Sequence, residues 1–175
     1  KNAIDTATVL LTKARRAEDA KHSMRAMSLL AIGIERQNLR GRWEQFQKLV
    51  NEALAIARAL PSDGYWEVQN LESLGLGYLR MRQLDGALHW LQTALNAVRP
   101  ETFEAGFFRA RIYQYLADLM RLRGNCFQAK SYVTASHEAA SERGEWAPHL
   151  LSGPRLALAR ILRSEGDLLE ARAAG

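Results

Sequence analysis

The 175-residue sequence has one cysteine, four prolines and no long apolar run, and each scarcity removes a class of protein. A lone Cys126 cannot close an intrachain disulfide, which excludes a cross-linked secreted scaffold and makes a cytoplasmic site the expectation. The apolar stretch Ser28 to Ile34 is far short of the roughly 20 residues a spanning helix needs, so a helical membrane protein is excluded as well. Lys1 to Thr6 has no charged segment leading into an apolar one, and no signal peptide is expected. The chain opens without Met inside a helical pattern and stops within another, as a piece cut from a longer protein would.

Basic residues are not clustered either. The 24 Lys and Arg residues are interleaved with 19 acidic ones, for a net charge of +5. A dedicated nucleic-acid binder gathers its basic residues on one stripe with aromatics between them, so no nucleic-acid partner is expected through this segment. Lysine occurs only at Lys1, Lys13, Lys21, Lys48 and Lys130; arginine supplies the rest, beside abundant Ala and Leu, a composition suited to long helices.

Apolar residues recur at three- and four-residue spacing almost end to end, with no sustained alternation, which predicts an all-α fold. Turn signals fall at Asp19–His22, Leu39–Gly41, Pro61–Gly64, Arg82–Asp85, Pro100, Gly124–Asn125, Arg143–Glu145 and Glu165–Gly166, dividing the chain into nine helical segments. Tight turns alternate with longer connections around Pro61, Pro100 and Pro148, a rhythm that predicts antiparallel helix hairpins joined in series.

The hairpins repeat. Leu71, Leu74, Gly75 and Tyr78 followed by Leu84, Ala87, Leu91 and Ala94 form one unit. Tyr113, Leu116, Ala117 and Met120 followed by Cys126, Ala129, Val133 and Ser136 form the next. Leu158, Ala159 and Leu162 followed by Leu168 and Ala171 begin a third. Ala87, Ala129 and Ala171 are spaced by 42 residues each time. An earlier, looser copy uses Trp43, Phe46, Val50 and Ala53, with the register of its first helix open around Gly33. The expected layout is a single array over 1-175: a half-repeat 1-20, then repeats at about 23-60, 65-99, 101-143 and a truncated 146-175. Small residues at Gly75, Ala117 and Ala159 are expected to let the facing helix, with Ala87, Ala129 or Ala171, approach to the short end of the usual helix separation.

Leu74-Gly75-x-x-Tyr78 with Ala87 and Leu91 resembles the tetratricopeptide repeat, although Leu71 and Tyr113 replace its tryptophan and the period exceeds its usual value of about 34. Long-period arrays of this kind are similar to the helical repeat regions of MalT-like bacterial transcriptional regulators, to those attached to diguanylate cyclases and histidine kinases, and to the repeats of kinesin light chain. The resemblance implies a right-handed superhelical α-solenoid of about four repeats whose first helices line a concave binding face. Carried onto this sequence, that face comprises Gln69, Glu72, Ser73, Leu76 and Arg80, then Arg111, Gln114, Tyr115, Asp118 and Arg121, then Leu156, Arg160 and Arg163, with Glu35 and Asn38 as an extension. Its arginines suit an acidic peptide, a carboxylate or a phosphate. The alternative is that they solvate a helical face and pair with neighbouring acids, Asp118 with Arg121 or Arg111.

No catalytic constellation emerges. His22, His89, His137 and His149 have no metal-ligand spacing with one another or with Cys126, which sits at a packing position equivalent to Leu84 and reads as a buried structural thiol. Gly75-Leu76-Gly77 follows no strand and lacks the third glycine of a nucleotide loop. Trp43 and Trp90 are expected between helices, Trp66 and Trp146 as exposed anchors. No cofactor and no metal are expected. The reading is a binding scaffold, not an enzyme: the regulatory or sensing region of a larger bacterial regulator or signalling protein, with a passive peptide-binding adaptor as the alternative. Its expected partners are a protein or peptide, or a small effector, and other domains of the parent chain, with self-association through the cut ends and no membrane contact.

Overall fold

A computed structural model describes residues 3–60, 64–102, 104–141, 147–164 and 166. Among these the fold is all-α, with no strand. The helices are α1 (Ala3–Arg16), α2 (Ala20–Asn38), α3 (Trp43–Ala59), α4 (Tyr65–Arg80), α5 (Leu84–Ala97), α6 (Ala105–Leu122), α7 (Cys126–Ser141) and α8 (Ala147–Ser164), with a 3-10 turn at Arg40–Arg42 before α3. The predicted turn at Arg143–Glu145, the ninth segment beyond Gly166 and Trp146 lie outside the described residues. The chain forms two compact units, Lys1–Ala97 and Val98–Gly175.

Short polar or glycine turns end the helices where the sequence places them, and they do so by one repeated device. After α1, α4 and α6 a residue in the left-handed region reverses the chain: Glu18 (φ 53), Arg82 (φ 61) and Gly124 (φ 76). The next amide then reaches back to a carbonyl of the last helical turn: Asp19 to Ala14 at 3.0 Å, Gln83 to Tyr78 at 3.0 Å and Asn125 to Met120 at 2.9 Å. This satisfies carbonyls that the helix end would otherwise orphan. Gly166 is left-handed as well (φ 85), so Arg82, Gly124 and Gly166, each 42 residues from the next, share one backbone conformation. Two of these turns also start the next helix. Asp19 Oδ1 accepts the His22 amide at 2.9 Å, and Asn125 Oδ1 accepts the Gln128 amide at 3.0 Å, each supplying an N-cap.

In the first unit α4 is packed by α2, α3 and α5. A Cβ added at Gly75 would lie 2.6 Å from two side-chain carbons of Leu91 and 3.1 Å from its amide nitrogen, so α4 and α5 make their close approach there. The residue facing Gly75 is thus Leu91, one turn beyond the expected Ala87; the Tyr78 ring lies on Gly86 and fills the space at the other end of the contact. Gly77 receives Phe46 and Trp43 from α3. Trp43 stacks on Phe46 (5.5 Å between centroids) and meets Tyr78 edge-on (5.0 Å), and the Tyr78 hydroxyl accepts from Gln47 Nε2 at 2.9 Å.

In the second unit α6 packs on α7 and α8. Buried Ala110, Ala139 and Ala140 cluster with Tyr113 packed on them, Ala117 and Ala129 are fully buried as well, and the buried Ser136 hydroxyl donates to the Ala110 carbonyl at 2.7 Å. α8 continues through Pro154, which lacks the amide needed for a bond to the preceding turn. Cys126 is half-buried, more open than the buried thiol expected from its alignment with packing residues, because it stands in the first turn of α7 beside the exposed tip Gly124–Asn125.

Candidate binding face

The expected binding residues divide between the two units, and their surroundings differ. On α4, Gln69 and Glu72 are buried, with Glu72 at 1% exposure. Three packing helices leave α4 little open surface, so these two side chains do not line an accessible face. Ser73 is half-buried and turns its hydroxyl onto the Gln69 carbonyl at 2.8 Å, inside its own helix. Leu76 is half-buried. Arg80 is exposed, yet its guanidinium pairs with the nearly buried Glu35 carboxylate and donates to the Glu35 carbonyl at 3.1 Å. Glu35 and Arg80 therefore fasten α2 to α4. The side chain of Asn38 lies outside the described residues.

Trp66 is half-buried and lies under Arg25 from α2, whose guanidinium carbon is 5.7 Å from the ring centroid. It closes a seam where an exposed anchor was expected. Beside it a neutral pair is buried: the Ser28 hydroxyl donates to Asn70 Oδ1 at 2.9 Å, while Asn70 Nδ2 donates to the Trp66 carbonyl at 2.7 Å. Sequence reasoning missed Ser28 and Asn70. Their separation of 42 residues, the spacing of the hairpins, is the signal that would have found them.

The second unit carries the other set. On α6 the residues Arg111, Gln114, Tyr115, Asp118 and Arg121 follow one another at helical spacing and are all half-buried. Arg111 lies over the Phe107 ring, 4.8 Å from its centroid, a cation–π contact within the helix. Gln114 packs its amide against Gly153 of α8, where a methyl group would collide with it. One turn along, Asp118 faces two guanidinium groups. Its Oδ1 is 3.5 Å from Arg121 Nη2, and its Oδ2 is 3.3 Å from Arg160 Nη1 on α8. The pairing with Arg121 matches one of the acid partnerships considered from sequence; the second partner is Arg160, 42 residues on, and not Arg111.

These contacts ascend together along both helices, Gln114 with Gly153 and Asp118 with Arg160, so α6 and α8 run side by side in the same direction. The charge on α8 is one-sided: Arg155, Arg160 and Arg163 with no acidic residue between Ala147 and Ser164, beside Arg121 and Asp118 of α6. Arg155, Leu156, Arg160 and Arg163 are exposed, Leu156 at 49%. Such a surface can hold carboxylate or phosphate oxygens through the guanidinium fork.

Among the described residues no group of three or more His, Cys, Asp and Glu side chains could hold a metal ion, and no helix is long and apolar enough to cross a membrane. No family model matches the chain, and no curated protein matches it. Among solved structures the chain is similar to BtubC (BKLC) from P. vanneervenii, with 16% sequence identity and a TM-score of 0.49 over 98% of this chain and 86% of that one.

Proposed function

We propose that the chain is a tetratricopeptide-like helical scaffold that binds an acidic protein or peptide through α6 and α8, as the regulatory or sensing region of a larger bacterial transcriptional regulator or signalling protein. The observation that supports this reading is the row of three exposed arginines on α8, Arg155, Arg160 and Arg163, on a helix without an acidic residue and next to Arg121 of α6. A surface built only to solvate helices has no need of one sign; the first unit shows the alternative, with Glu35 and Glu67 answering Arg80 and Arg58. In a regulatory role the bound partner favours one arrangement of the parent protein over another, which requires different affinities for the two.

Arg121→Glu combined with Arg160→Glu tests the reading. Because the change sets two further carboxylates beside Asp118, a thermal melt first establishes that the double variant is folded; the folded variant is expected to lose the partners that the wild-type chain captures from host lysate, as identified by mass spectrometry. Equal capture by the two proteins would overturn the proposal.

A further inference from the structure

The Arg121–Asp118–Arg160 cluster has a property that the arginine excess alone would not supply. One carboxylate is shared by two guanidinium groups from two helices, one oxygen toward each. Both separations, 3.5 and 3.3 Å, exceed the 2.7–2.9 Å of a tight charge-assisted bond, which is about the range expected for such pairs. The Asp118 side chain is 16% exposed and the Arg160 side chain 46%, so the acid lies at the bottom of the cluster and Arg160 at its rim. A guanidinium has five N–H donors, and Asp118 engages only part of that fork on each side.

We infer that Asp118 acts as a built-in competitor for a carboxylate of an acidic protein segment, holding Arg121 and Arg160 until such a segment takes Arg160 from it. This rests on the binding role proposed above and adds how that site is tuned. The cluster already accommodates a carboxylate, so the ligand group it fits is another carboxylate arriving at the rim. Asp118 remains beside Arg121 during the exchange, and its charge repels the newcomer. A single carboxylate thus gains little. A run of acidic residues gains more, because a second carboxylate meets Arg163, exposed one turn further along α8. Asp118 therefore sets a threshold that favours acidic runs over isolated acids.

The test uses the full chain and fluorescence anisotropy with labelled hexaglutamate, at about 50 mM salt to limit screening. Hexaglutamine and a single-stranded oligonucleotide of matched charge serve as comparison probes. Asp118→Asn is expected to tighten hexaglutamate binding about tenfold, equivalent to about 1.4 kcal/mol, and Asp118→Ser to act in the same direction. Arg160→Gln is expected to weaken it, and in that background Asp118→Asn should tighten binding less than it does in the wild-type chain, because only the relief of direct repulsion is left and the release of Arg160 is gone. Circular dichroism melts identify any variant that has lost its fold, and the Asn and Ser variants substitute for each other in that event.

Unchanged or weaker hexaglutamate binding in the folded Asp118 variants would overturn the inference and assign Asp118 to holding α6 and α8 together. Tighter binding of the oligonucleotide than of hexaglutamate would overturn it too, by placing nucleic acid ahead of protein. If hexaglutamate fails on every variant while lysate capture still requires Arg121 and Arg160, the competitor role falls and the binding role stands. Loss of both removes both.

Discussion

α2 and α4 in the first unit, and α6 and α8 in the second, are each joined by a polar contact between residues 42 positions apart, but the chemistry of the contact differs. Ser28 and Asn70 are neutral, buried and bonded at ordinary hydrogen-bond length. Asp118 and Arg160 are charged, partly exposed and loosely paired. The number of neighbours around the central helix accounts for the difference. α4 is enclosed by α2, α3 and α5, so a polar residue there must find a partner inside the protein, and even Glu72 is buried. Among the described residues α6 packs on α7 and α8, and its charged residues keep contact with water. A common spacing between helices has thus been used for closure in one unit and for an open basic surface in the other.

The largest test of that contrast is at the helix seams. Gly75→Leu would drive a branched side chain into Leu91 and its backbone, and should destabilise the first unit by about 3 kcal/mol, the upper end of ordinary overpacking. Ala117, the corresponding residue of the second unit, is fully buried but already carries a methyl group. Ala117→Gly should cost about 1–2 kcal/mol, from lost helix propensity and lost burial. Hydrogen exchange read separately on α4–α5 and α6–α7 distinguishes the two effects. A first unit that tolerated Gly75→Leu would mean that its helices are not held at the separation described.

A smaller test compares turns of the same shape. The left-handed position after α4 holds Arg82 and the one after α6 holds Gly124, where nothing lies within 4 Å of an added Cβ. Arg82→Gly should stabilise the first unit by about 0.5–1 kcal/mol, since glycine adopts that conformation without steric cost. Gly124→Ala should destabilise the second by about 1 kcal/mol for the converse reason. Urea unfolding followed by exchange protection of the flanking helices measures both. Opposite signs are the expected result; the same sign in both would show that backbone strain does not govern these turns.

Much of the fold was legible because helix ends are decided by local chemistry. Asp19, Gly124 and Asn125 announce turns from their own residue types, and Arg82–Asp85 reads as a break in the apolar period although arginine is a poor left-handed residue. Side-chain pairing across helices was less legible. Whether Gly75 faces Ala87 or Leu91 depends on rotation about the helix axes, and spacing along one chain does not specify it. The carry-over from the repeat resemblance misplaces Gln69 and Glu72, which it sets on an open face, because α4 here is packed by α2, α3 and α5. Asp118, Arg121 and Arg160 are among the face residues that the repeat resemblance implies, and the Asp118–Arg121 pairing is one of the two considered, but the contact with Arg160 across the 42-residue step was not anticipated.

The smallest test uses acidity, and it again sets one unit against the other. The first-unit turn before α2 is capped by Asp19, and the second-unit turn before α7 by Asn125, with the same bond to an amide three residues on. The His22 backbone amide, and then the His22 ring, hold the Asp19 carboxyl below the ordinary aspartate range. A carboxyl whose folded value is depressed adds stability that is complete above its unfolded value, about pH 4, and is lost as the pH falls through the lower folded value. Asn125 has no such proton to gain. Lowering the pH from about 6 to 3 should therefore speed amide exchange at the start of α2 more than at the start of α7, with the intrinsic pH dependence of exchange divided out. Asp19→Asn should remove that difference while keeping the cap, because asparagine serves the N-cap position nearly as well. If α7 loosens in acid as much as α2 does, the response belongs to the protein's overall charge and not to the chemistry of its caps.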